Sequence, residues 1–140
     1  MLSKNADRMR HRIGIVNDDP AMRDSMRALL EGQDFEISEY ETADACLQKP
    51  DGYCVLLVDL ALPGISGLEL VEILRSGGIE TPAVLMIDFV DKITAARIRA
   101  AKNCASLNKP IEPSELVQAI RRFCAEKICH HLPYAIPRTR

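Results

Sequence analysis

No stretch of this 140-residue chain is long and apolar enough to span a bilayer as a helix. The basic segment from Met1 to Arg12 has no apolar core, so it does not read as a secretory signal, and a cytoplasmic location is expected. Excess charge is also missing. Eighteen Lys and Arg against twenty Asp and Glu give a formal charge of -2, which offers no electrostatic reason for a nucleic-acid partner. Cys46, Cys54, Cys104, Cys124 and Cys129 lack paired spacing and read as reduced thiols, mostly in apolar runs. Cys129-His130-His131 lacks the spaced partners of a zinc site and reads as a tail feature. There is no tryptophan, no internal repeat and no low-complexity tract. What remains is one domain whose 47% hydrophobic content suffices for a full core.

Asp59 is the most informative residue present. It closes the apolar run Tyr53 to Val58 and is followed by Leu60-Ala61-Leu62-Pro63-Gly64. A carboxylate there stands where a buried strand emerges, on a mount stiffened by the turn residues beyond it. Three other apolar runs end in polar residues. Ile13 to Val16 leads into Asn17-Asp18-Asp19, Ala83 to Ile87 into Asp88, and Cys104 to Leu107 into Asn108-Lys109-Pro110. In a parallel sheet these ends share one edge, outside which open α/β folds bind ligands. Acids with one lysine there point to a divalent cation beside an oxyanion.

Helical patterns alternate with these strands. Asp19-Pro20 opens a helix with Met22, Met26 and Leu29 on one face, and Phe35-Glu36-Ile37 begins a further strand. A short helix is expected from Thr42 to Gln48. Ser66 caps a helix with Leu68, Val71 and Leu74 inward, stopped by Gly77-Gly78. Asp91 caps a segment through Ala101, with Ile93, Ala96 and Ala100 expected inward. Pro113 and Ser114 open the last helix, whose stripe is Leu116, Ile120 and Phe123. Five βα units with short connections predict a doubly wound parallel sheet. The expected division is an N-terminal arm over 1–11, a domain over 12–125 and a tail or truncated linker over 126–140.

Three motifs carry a family resemblance: Val16-Asn17-Asp18-Asp19-Pro20-Ala21-Met22-Arg23, Val58-Asp59-Leu60-Ala61-Leu62-Pro63-Gly64-Ile65-Ser66-Gly67-Leu68-Glu69-Leu70, and Asn108-Lys109-Pro110. Over residues 12 to 125 the chain resembles the receiver domain of two-component response regulators, closest in flavour to the FixJ/NarL type. The resemblance implies a flavodoxin-like (βα)5 fold of strand order 2-1-3-4-5. It implies that Asp59 accepts a phosphoryl group from a phosphohistidine, on a histidine kinase or phosphotransfer protein. It further implies Mg²⁺ held by Asp18, Asp59 and the Ala61 carbonyl, with Asn17 reaching it through water, and Lys109 paired with the phosphoryl oxygens. The family often dimerises through the face of its fourth and fifth helices, so a homodimer through that face is an expectation.

The chain departs from the family at the switch. Asn17 stands where the first of two acids is usual, so weaker Mg²⁺ binding is expected. Ile87 replaces a Thr or Ser whose hydroxyl bonds the phosphoryl group, Asp88 follows where a small residue is common, and Ser106 replaces an aromatic. The competing reading is therefore a pseudo-receiver, a protein-interaction module without productive switching. An aspartyl-phosphate phosphatase is disfavoured, because Ala61 occupies the position of its general acid. The reading adopted is a phosphoaccepting signalling domain rather than an enzyme.

Overall fold

The computed structural model describes residues 11–50 and 52–127, with side chains placed as far as Cys124. Its strands are β1 (His11–Val16), β2 (Phe35–Tyr40), β3 (Val55–Asp59), β4 (Ala83–Ile87) and β5 (Cys104–Asn108). The helices are α1 (Pro20–Glu31), α2 (Ala43–Gln48), α3 (Gly67–Ser76), α4 (Lys92–Ala100) and α5 (Pro113–Lys127). All neighbouring strands pair in parallel in the order β2-β1-β3-β4-β5, as the alternating sequence pattern predicts. Among the described residues, regular structure runs from His11 in β1 to Lys127 in α5.

Period-two alternation divides the strand side chains between two cores. Ile13, Ile15, Val55, Leu57, Val84 and Met86 pack with Met26 and Leu30 of α1 and Leu116, Ile120 and Cys124 of α5. Val16, Leu56, Val58, Leu85 and Ile87 pack on the opposite face with Cys46 of α2, with Leu68, Val71 and Leu74 of α3, and with Ile98 of α4. β3 is central and buried at every residue, which explains its unbroken apolar run. Each fully buried Leu or Ile contributes about 1.5–3 kcal/mol by leaving water.

The predicted helix starts hold. Asp19 accepts from Ala21 N–H, Thr42 from Ala45 N–H, and Asp91 from Thr94 N–H. Ser66 and Glu69 form a reciprocal capping box on α3. The expected inward face of α4 is corrected. Ile93 is 73% exposed, Ala96 and Ala100 are exposed, and Ile98 is the buried residue of that helix. α4 spans nine residues and its alanines fit either face, so one branched side chain near its end sets the rotation. Asn103 occupies the turn before β5 at φ +50°, a left-handed conformation that Asn tolerates where Gly is usual.

Candidate functional site

The carboxyl ends of β1, β3, β4 and β5 build the site. Asp59 is the last residue of β3 and pairs across with Met86 of β4. Its backbone leaves the sheet under tight control: Leu60 N–H donates to Met86 O at 3.0 Å, and Gly67 N–H donates to Leu60 O at 2.9 Å. Val16 pairs with Val58, so Asn17 stands level with Asp59 and Asp18 lies one residue further out. Lys109 follows β5, its N–H donating to Ile87 O at 2.8 Å, and its peptide bond to Pro110 is cis.

The structure brings Asp59 and Lys109 together. Lys109 Nζ donates to Asp59 Oδ1 at 2.7 Å, although 50 residues separate them. Asp59 is only 6% exposed, and a carboxylate this buried needs a counter-charge. Asp88 is largely exposed, with Oδ2 4.0 Å from the same ammonium.

Asn17 is 2% exposed and its Oδ1 accepts from Asp19 N–H at 3.0 Å. An amide oxygen has two lone pairs, so one acceptor direction remains. Asp18 is exposed beyond it, while the Asp19 side chain is occupied as a helix cap. The oxygen donors offered by Asp18, Asp59 and the Ala61 carbonyl suit a hard cation such as Mg²⁺, which keeps several waters and needs few protein ligands. The donor chemistry therefore fits the expected ion.

Ile87 is buried in the core shared with Val58, Leu62 and Leu68, and it provides no hydroxyl. Ser106 pairs with Leu85 on the edge strand and is exposed. Neither divergent position carries the group usual in the family. No disulfide joins Cys46, Cys54, Cys104 and Cys124. Burial pushes the Cys46 and Cys104 thiols up to about 11, the range of structural rather than nucleophilic cysteines. Cys129-His130-His131 lies outside the described residues.

Two supporting residues escaped the sequence reading. Arg23 donates to the Asn17 carbonyl and to Glu39 Oε1 at 3.0 Å, which ties the acidic turn to β2. Arg23 closes the first of the three motifs, but nothing in the sequence gave it this role. Gly67 packs against the Asp59 backbone so closely that a β-carbon there would lie 2.4 Å from the Asp59 carbonyl oxygen. Glycine beyond a capping serine was visible in the sequence, but the approach was not.

Comparison with known proteins agrees with this geometry. Residues 13–121 match the model of the response regulator receiver domain, and the chain belongs to that family. It is 29% identical over 112 residues to the transcriptional regulatory protein FixJ of Azorhizobium caulinodans, covering 78% of this chain and 53% of that protein. It is 28% identical over 120 residues to the DNA-binding response regulator MtrA of Mycolicibacterium smegmatis, covering 82% of this chain and 51% of that one. The chain thus spans about half the length of these relatives. Among solved structures, the response regulator StyR superposes with TM-score 0.75 at 26% identity, covering 88% of this chain and 63% of that chain. The beryllofluoride-activated DrrB receiver domain superposes at TM-score 0.73 and 23% identity, covering 84% of this chain and 99% of that one, a likeness of fold. The chain is thus a receiver domain of two-component signalling, and no helix among the described residues is long and apolar enough to cross a membrane.

Proposed function

We propose that this receiver accepts a phosphoryl group on Asp59 from a phosphohistidine of a histidine kinase or phosphotransfer protein. The observation that carries the reading is the buried Asp59 carboxylate paired with Lys109 at 2.7 Å on the ligand-binding edge of the sheet. An interaction module has no physical need for a desolvated charge pair at that rim.

In the transfer, an Asp59 carboxylate oxygen forms the new O–P bond while the P–N bond to the donor imidazole breaks. The imidazole leaves with the electron pair of that bond and takes a proton from solvent. The transition state spreads charge over the phosphoryl oxygens, so positioning and neutralisation supply most of the catalysis. Lys109 moves its hydrogen bond from Asp59 Oδ1 to a phosphoryl oxygen, acting as a compact point charge. Asp18, Asp59 and the Ala61 carbonyl would hold Mg²⁺, with Asn17 acting through water, and the ion would supply further neutralisation. Asn17 brings an amide where a second charge is usual, so binding weaker than in a two-acid site follows.

Residues 12–125 act as the signalling unit. The downstream step belongs to a partner protein or to a further domain of a longer chain, and a homodimer through the α4–α5 face is the mode that family habit favours. The domain has no substrate turnover of its own beyond phosphotransfer and autohydrolysis.

The test is incubation with a small phosphodonor and Mg²⁺, read by intact mass, with Asp59→Asn as control. One phosphoryl adduct that the variant lacks supports the proposal. Absence of both adduct and Mg²⁺ binding would leave the pseudo-receiver reading in its place.

A further inference from the structure

Three soft ligand atoms meet at the edge of the sheet opposite Asp59. His11 opens β1, Cys54 directly precedes β3, and Cys124 lies towards the end of α5. Nδ1 of His11 is 3.2 Å from Sγ of Cys54, and the ligand atoms of His11, Cys54 and Cys124 all lie within 4.8 Å of one another. Both cysteines are buried and the histidine is half-buried. This is the one such grouping of three His, Cys, Asp or Glu ligands among the described residues. Asp59 lies five positions beyond Cys54 along β3, roughly 16 Å at about 3.3 Å per residue, so the cluster is distinct from the phosphoacceptor site.

We propose that His11, Cys54 and Cys124 form a zinc site that fastens α5 to the entry edge of the sheet. The spacing fits. Zn–S bonds of about 2.3 Å and a Zn–N bond of about 2.0–2.1 Å in a tetrahedron place the donors roughly 3.6–3.8 Å apart. Small side-chain rotations convert the observed cluster into that arrangement. On binding, one Zn–N and two Zn–S bonds form and two thiol protons pass to solvent. Zn²⁺ with two thiolates and a neutral imidazole carries no net charge, which makes burial tolerable. Neutrality also suits the neighbourhood, because the Arg121 guanidinium sits 5.2 Å over the Phe35 ring, whose centroid is 6.3 Å from that of His11. Water takes the fourth position, as in other three-ligand zinc sites. A disulfide would use only the sulfurs and give the converging imidazole no part.

Cys129, His130 and His131 are further zinc ligands by chemistry, so the test separates them from the cluster. The untagged full chain carrying Cys129→Ser, His130→Ala and His131→Ala is incubated with Zn²⁺ under reducing conditions, buffer-exchanged and analysed for metal. The expected result is one retained equivalent, with slower iodoacetamide labelling of Cys54 and Cys124 in the zinc-loaded chain than in the same chain without zinc. With Co²⁺ in place of zinc, a thiolate-to-cobalt charge-transfer band and strong tetrahedral visible bands are expected. Cys54→Ala and Cys124→Ala, each added to that chain, should weaken binding more than about tenfold. If those variants do not fold, the cobalt spectrum and thiol shielding in the parent chain decide. No retained metal, a cobalt spectrum without thiolate character, or a Cys54–Cys124 disulfide under the reducing conditions would overturn the proposal.

Discussion

Gly67 and Asp59 are in backbone contact: a β-carbon added to Gly67 would lie 2.4 Å from the Asp59 carbonyl oxygen and 2.9 Å from Val58 Cγ1. The first turn of α3 is therefore pressed against the end of β3, and the capping box of Ser66 and Glu69 fixes it there. Gly67→Ala should lower stability by about 1–3 kcal/mol, the usual scale of overpacking, because backbone must move to admit the methyl group. The same movement shifts Asp59, so adduct yield with a phosphodonor should fall as well. Urea unfolding and intact mass would check the pair of effects; a variant of unchanged stability and yield would show that the contact relaxes without cost.

Lys109 has the converse relationship to Asp59, in which removal does the damage. Lys109→Met leaves a carboxylate buried without its partner and should cost about 2 kcal/mol, while the double variant with Asp59→Asn should recover most of that loss. A double-mutant cycle by urea unfolding measures the coupling directly. Additive single effects would mean that the 2.7 Å pair contributes little to folding.

The sheet order and the meeting of Asp59 and Lys109 at one rim were legible in the sequence because strand ends, turn residues and a long motif all agreed; their direct ion pair was not. Lys109 alone meant nothing; Pro110 and the end of an apolar run gave it a place. The rotation of α4 was not legible. Alanine carries no strong preference for inside or outside, and Ile93 and Ile98 competed for the core, which Ile98 won. The His11–Cys54–Cys124 cluster was invisible for another reason. Its members come from three separate parts of the chain, the first two 43 positions apart, so only the folded register brings them together.

Glu39 links the acidic turn to α1 through Arg23 and Arg27. Its hydrogen bond to Arg27, then that to Arg23, holds the carboxyl below its ordinary value of 4.5 against the opposing effect of burial. A depressed carboxyl stabilises the fold fully above the unfolded value, and the contribution is lost as pH falls through the lower folded value. Wild type should therefore exceed Glu39→Gln in stability near neutrality by about 0.2–1 kcal/mol, the scale of a solvent-screened pair. That difference should shrink below about pH 4.5. Urea midpoints across that range check it, and a gap that widens on acidification would contradict the assignment.

Once formed, the aspartyl phosphate should hydrolyse slowly. Water attacking phosphorus needs a polar group to orient it, and neither Ala61, two residues beyond Asp59, nor Ile87 offers one. Ala61→Asn introduces an amide at that position and should shorten the lifetime. Decay of the intact-mass adduct after removal of the donor measures both rates. A wild-type adduct lost as fast as that of the variant would remove the argument.

The last prediction concerns Ile87, where the chain replaces a hydroxyl with a branched alkyl group packed against Val58, Leu62 and Leu68. Ile87→Thr removes buried apolar volume and introduces a hydroxyl, so a stability loss of about 1–3 kcal/mol is expected. In exchange, the hydroxyl can donate to a phosphoryl oxygen and draw the β4–α4 loop inward, which Ile87 cannot do. Beryllofluoride should therefore produce larger amide shifts over residues 87–91 in the variant than in the wild type. The two effects separate cleanly, because the stability loss is read without ligand and the shifts are differences on adding it. Equal shifts in both proteins would locate the limit on switching elsewhere, at Ser106 or in the charge of Asp88 beside Lys109.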